Sequence, residues 1–167
     1  MSEGSNQKIL EQEAEVWNAW RQENPGVIPD FSGDDLSELN MARVNLSDAD
    51  LSQTELFDSL LEHANLKMAK MTGADLSGAK LEGAELYKAD LSKASLIGTD
   101  LTRVYLAEAN LRGADLRGAN LHEADLSGAD LAGANLTGAN LGRSTLVRAN
   151  IEAAKDRKST RLNSSHR

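Results

Sequence analysis

The chain contains no cysteine, which excludes disulfide frameworks, thiolate metal sites and cysteine nucleophiles together. No charged, apolar and small-residue series opens it, so no secretory leader is read at the start. Its longest apolar runs fall far below the ~20 residues that span a bilayer. No glycine-rich phosphate cradle follows a strand and opens a helix; the glycines recur in step with the rest of the chain. A net charge of −8 disfavours the electrostatic attraction on which nucleic-acid binding rests. These absences predict a soluble cytoplasmic protein with no cofactor, no membrane contact and no direct nucleic-acid binding.

What is present is a fivefold repeat. From Phe31 to Ile151 an apolar residue falls on every fifth position, giving 25 consecutive centres, all Leu except Phe31, Met41, Met71 and Ile151. A small residue stands two positions before most centres, as at Ala74, Ala79, Ala84, Ala114 and Ala119, and an Asp or Asn usually lies between the two. A helix turns 100° per residue, so residues five apart would be spread around every side. A continuous strand fails as well, because five is odd and successive centres would point to opposite faces. One side stays apolar only if each pentad is a short edge followed by a bend, which makes a coil that closes and stacks on itself.

The number of pentads per turn follows from glycine. Folded with a period of 20, Gly33, Gly73, Gly113 and Gly133 fall in one column and Gly78, Gly98, Gly118 and Gly138 in the next, whereas a period of 15 scatters them. Four pentads per turn predict a four-sided rod of about six coils. The small inward residue is required by a narrow interior, with crowding expected at Leu39, Val44, Thr54, Thr99 and Val104. The intervening Asp and Asn are expected to bond backbone groups at the bends, so they are structural before they are catalytic.

Three segments follow. Residues 1–29 are an amino-terminal capping helix and lead-in, residues 30–155 the repeat, and residues 156–167 a segment with neither pentad nor helical pattern. Helix is predicted over residues 6–23, started by Ser5 or Asn6 and ended at Asn24, Pro25 and Gly26. Leu10, Ala14 and Trp17 form its apolar stripe, widened by Ile9, Val16 and Trp20. An open solenoid end exposes its core, so Trp17 and Trp20 are assigned to the cap. The segments carry −3, −8 and +3 in turn. Residues 156–167 resemble the translated read-through of a sequencing adaptor, so a native carboxyl end, with any cap or dimerisation segment, is expected to be missing.

Runs such as Ala74-Asp75-Leu76-Ser77-Gly78, Ala109-Asn110-Leu111-Arg112-Gly113 and Ala134-Asn135-Leu136-Thr137-Gly138 resemble the pentapeptide-repeat family over about three quarters of the chain. That resemblance implies an all-β solenoid, a right-handed quadrilateral parallel β-helix. Some members of the family resemble duplex DNA in size and charge and modulate DNA gyrase. They dimerise through a carboxyl-terminal segment that is not recognisable here, and the helical amino-terminal cap departs from them.

Catalytic and metal-binding constellations are not found. His63 and His122 lie three coils apart in the 20-residue register, and outward carboxylates such as Glu82, Glu85 and Glu108 form no pair set apart from the background that general acid and base roles need. Outward apolar residues remain. Phe57 and Ile97 share a glycine-rich side two coils apart, Leu60 is around the corner from Phe57, and Tyr87 and Tyr105 occupy adjacent coils of a charged side. These five residues are the candidate partner surface. The expected function is a non-enzymatic rigid scaffold for a protein partner, as a monomer or end-to-end dimer. A DNA-mimicking modulator of gyrase is the alternative, and a non-catalytic fragment of a larger enzyme or effector a third reading.

Overall fold

The computed structural model describes residues 5–155, with side chains from residue 8 onward; residues 156–167 and the side chains of the proposed Ser5 and Asn6 caps lie outside what is described. Two short helices, α1 (Ser5–Leu10) and α2 (Ala14–Glu23), precede the repeat. From Asp30 on, parallel bridges join each residue preceding a centre to the residue 20 further along, as in Asp30 with Asp50, Asp50 with Lys70 and so on to Asp130 with Asn150. Four pentads therefore complete one turn, and the rod has four faces, numbered here by their first centres: face 1 from Phe31, face 2 from Leu36, face 3 from Met41 and face 4 from Leu46.

Extended strands are absent among the described residues, and the pairing is by single-residue bridges. The pentad explains this. In Leu76-Ser77-Gly78-Ala79 the Ala79 amide donates to the Leu76 carbonyl at 3.0 Å, and the third residue has φ of 70°. A 4→1 bond with positive φ at the third residue is a type II turn. The same positive φ recurs at every fifth position from Gly33 to Ala153, which leaves only the residue between turns free to bridge. Between coils the amide of each centre donates to the bridging carbonyl of the next coil, as Leu76 does to Ser95 at 2.8 Å, while the bridging amide donates backward, as Asp75 does to Thr54 at 3.0 Å. Backbone satisfaction thus runs along the rod, from coil to coil within each face.

Centres and small residues both point inward. Leu76, Leu81, Leu86 and Ala74, Ala79, Ala84 are fully buried, with Thr54, Ser59 and Thr99 occupying Ala-type sites. Their hydroxyls are satisfied locally: Thr54 and Thr99 donate to the Phe31 and Leu76 carbonyls at 2.8 Å, and Ser59 to Leu56 at 2.7 Å. Each fully buried leucine contributes about 1.5–3 kcal/mol relative to exposure. The bridging Asp and Asn act at the bends as expected. Their Oδ1 accepts the amide two residues on, from Asp30 with Ser32 at 2.9 Å to Asn150 with Glu152 at 3.1 Å.

Helix was expected to run unbroken over residues 6–23; it breaks at Glu11–Glu13. Glu13 is extended, at φ −64° and ψ 146°, and the Gln12 carboxamide donates to the Lys8 carbonyl at 3.1 Å, so α1 is closed by a side chain. An uninterrupted helix would place Glu11 over Glu15 four residues on, a repulsive pair. Trp17 is fully buried against Phe31, with ring centroids 5.7 Å apart, and stacks on half-buried Trp20 at 5.1 Å. The two helices lie at the amino-terminal end of the core, where Leu10 and Trp17 join it.

Candidate partner surface

The 20-residue register sorts outward side chains into columns, and charge follows the columns. Residues 30–155 hold 20 acidic and 12 basic side chains; faces 1 and 2 hold 12 and 5 of them, faces 3 and 4 hold 8 and 7. Nearly all the net charge of the rod therefore lies on the two faces whose corners carry the glycine columns. Faces 3 and 4 are balanced by ion pairs between successive coils: Arg103 with Glu82, Arg143 with Glu123 at 3.3 Å, Lys67 with Glu85 at 2.5 Å and Lys88 with Glu108 at 3.4 Å. Such exposed pairs contribute about 0–1 kcal/mol each, so they shape the surface more than they stabilise it.

Face 4 also carries both tyrosines. Glu85 and Tyr105 are bridge partners on adjacent coils, and Tyr87 follows Glu85 by two positions. Together with Lys67 and Ala107 they line a shallow depression of about 240 Å³. Tyr105 is 56% exposed and Tyr87 37% exposed. The Tyr87 hydroxyl donates to Glu108 Oε1 at 3.3 Å, and Lys88 Nζ lies 5.1 Å from the Tyr87 ring centroid. Hydrogen bonding to Tyr87 and the Glu108 carboxylate hold the Lys88 ammonium above its ordinary range. Tyr87 is thereby held in one orientation, whereas Tyr105 projects freely.

Of the five residues proposed from the sequence, the fold brings Tyr87 and Tyr105 together. Phe57 and Ile97 share a column on face 2 with Ser77 between them, so they sit two coils, about 9.6 Å, apart. Phe57 and Leu60 are half-buried, and Ile97 is 38% exposed. Phe57 and Leu60 lie on neighbouring faces of one coil. Trp17 and Trp20 belong to the amino-terminal core contact rather than to this surface. Met68, 57% exposed on face 4 one coil before Lys88, was not singled out, although an apolar residue at a corner otherwise given to glycine or charge was the available signal. Val147 and Ile151 are likewise exposed, near the last described coil.

His63 and His122 occupy faces 3 corners and edges well apart, His63 exposed and His122 half-buried beside Glu123 at 3.5 Å. Among the described residues no group of three or more His, Cys, Asp or Glu is placed to hold a metal ion. No helix there is long and apolar enough to cross a membrane.

Comparison with known proteins identifies the repeat. The family model for pentapeptide repeats matches in eight copies, over residues 30–62, 54–92, 84–123 and 124–155. Curated protein sequences include no match. Among solved structures, a pentapeptide repeat protein from the Arabidopsis thaliana thylakoid lumen is 30% identical, with 70% of this chain and 71% of that one covered, at a TM-score of 0.35. HetL, involved in heterocyst differentiation regulation in the cyanobacterium Nostoc sp. strain PCC 7120, is 26% identical over 81% and 90% of the two chains, at a TM-score of 0.32. A second pentapeptide repeat protein from Nostoc is 28% identical over 71% and 84%, at 0.40. With the family model covering the whole of the repeat, this chain belongs to the pentapeptide-repeat family.

Proposed function

We propose that the protein is a non-enzymatic scaffold, a right-handed four-sided β-solenoid of about six coils capped by α1 and α2, which meets a protein partner on face 4. The observation that carries this reading is the depression between Tyr87 and Tyr105, two aromatic side chains held on adjacent rungs of a backbone that is hydrogen-bonded on both sides. Aromatic residues dominate the energetics of protein contacts, and a rigid platform loses little conformational entropy when it binds. Phe57 and Ile97 on face 2 and Leu60 on face 3 lie on the other side of the rod and would form a separate apolar strip rather than part of this contact. Affinity capture from the source cell with the wild-type chain and with Tyr87→Ser/Tyr105→Ser tests it, with Lys93→Ser on face 1 as control. A partner retained by the control and lost by the double variant is expected; equal capture by all three would sink the face 4 surface.

A second reading is favoured by a different observation, the concentration of 12 acidic against 5 basic residues on faces 1 and 2. A smooth acidic strip along a rod suits a protein that normally receives duplex DNA, and modulation of DNA gyrase is the form this takes in the family resemblance. In a supercoiling assay, inhibition or protection that weakens with added salt is expected. Unchanged gyrase activity at micromolar protein would dismiss it.

A further inference from the structure

Each inner coil presents three backbone groups per face to the coil before it. On face 3 of the second coil the Leu60 amide donates to the Leu39 carbonyl at 2.9 Å, the Leu60 carbonyl accepts from Met41 at 2.7 Å, and the Glu62 carbonyl accepts from Arg43 at 2.9 Å. The first coil has no coil before it, and α2 supplies the equivalent bonds on face 4. There the Asn45 amide donates to Asn18 Oδ1 at 2.7 Å, the Asn45 carbonyl accepts from Trp17 Nε1 at 2.7 Å, and the Ser47 carbonyl accepts from the Arg21 guanidinium at 3.0 Å. On face 3 the corresponding groups are the Asn40 amide, the Asn40 carbonyl and the Ala42 carbonyl, and none has a partner among the described residues.

Those three groups border a cleft of about 490 Å³ between the Glu11–Glu15 link and the first coil, lined on the coil side by Leu39, Asn40, Ala42 and Arg43. Glu11, Glu13 and Glu15 on the opposite wall are exposed, and none forms an ion pair among the described residues; Arg43 is the one basic residue of the lining. An unpaired strand edge is a template for a further strand. We infer that this cleft takes an extended, lysine- or arginine-bearing peptide segment of a partner protein, which adds the missing rung on face 3. Parallel to the chain, the segment would donate two alternate amides to the Asn40 and Ala42 carbonyls and accept the Asn40 amide, as each coil does for the next. Its basic side chains would face the three glutamates. The site is separate from the Tyr87–Tyr105 surface and does not depend on it.

The probe is a fluorescein-labelled peptide of alternating lysine and valine, about eight residues long so that it spans the edge with overhang, added to the full chain and followed by anisotropy. Saturable binding is expected, with slowed hydrogen exchange at the Asn40 amide. The same peptide N-methylated at alternate residues should fail to bind, and each of Glu13→Gln and Glu15→Gln should weaken binding about two- to fivefold at low salt. Circular dichroism confirms that both variants fold, and Tyr87→Ser/Tyr105→Ser should bind as the wild type does. Equal binding of the methylated peptide would reduce the effect to charge alone and overturn the proposal, as would no binding at all. Protection of Asn40 without peptide, together with concentration-dependent self-association, would make the occupant a second copy of the chain and overturn it too.

Discussion

The carboxamide of Asn18 replaces a backbone rung beneath Asn45. Its oxygen accepts the Asn45 amide at 2.7 Å, and its nitrogen donates to the neighbouring Arg43 carbonyl at 3.0 Å. A helix side chain thus supplies what every inner coil receives from main chain. Asn18→Ala leaves the Asn45 amide without its protein partner beneath α2, and we expect a loss of about 1–3 kcal/mol, measured by urea denaturation. Trp17→Ala removes the indole bond to Asn45 and the packing on Phe31, and is expected to cost about 3–5 kcal/mol. Wild-type stability in both variants would show that the helices do not hold the first coil.

Position along the rod sets the cost of a cavity. Leu76 is fully buried with coils on both sides, whereas Leu146 is 6% exposed near the last described coil. Leu76→Ala should cost about 2–5 kcal/mol and Leu146→Ala distinctly less, because its side chain is already partly open and among the described residues it has a neighbouring coil on one side only. Equal losses in matched denaturation curves would contradict a nearest-neighbour account.

Gly98 separates conformation from crowding. A Cβ there would meet nothing within 4 Å, yet its φ is 66°. Gly98→Ala should therefore cost about 1–2 kcal/mol through backbone strain alone. Gly83→Ala should cost more, because its Cβ would lie 2.6 Å from the His63 ring and force that side chain to move. Thermal denaturation of the two variants in parallel ranks them.

Acid should loosen the rod late. The Ser52 hydroxyl holds the Asp50 carboxyl below its ordinary range, the Arg117 guanidinium does so for Asp115, and Arg112 for Asp130. A carboxylate whose folded pKa is depressed contributes stability above its unfolded value of about 3.9, and that contribution disappears as pH falls through the lower folded value. Urea midpoints should respond to these three groups only below about pH 4, and Asp115→Asn/Asp130→Asn should flatten that acid limb while the Asn oxygens keep the turn bonds. A limb as steep as that of the wild type would assign the acid sensitivity elsewhere.

The pentad was legible because it is local. A leucine every fifth residue, a small residue two before it and an Asp or Asn between them each answer a requirement met within one bend: burial, clearance, and an acceptor for the amide two residues on. Thr54 and Thr99, read as crowded inward sites, are buried and bonded to carbonyls. Asn18 gave no comparable signal, since a polar residue on an exposed-looking helix position is ordinary until the coil edge is placed against it. The break at Glu11–Glu13 was equally silent, because the apolar stripe continues across it and only the repulsion of Glu11 and Glu15 argues against an unbroken helix.

By itself, the amino-acid sequence determined the fivefold period, the inward residues, the family and the apolar stripe that ends in Trp17 and Trp20. All of these follow from side-chain volume, hydrophobicity and the short reach of a turn. The glycine columns pointed to a period of 20, and the tertiary structure decided how the four bends close and which amides meet which carbonyls between coils. From that closure come the depression lined by Tyr87 and Tyr105, the ion pairs between coils on faces 3 and 4, and the edge at Asn40 and Ala42 that α2 leaves uncovered.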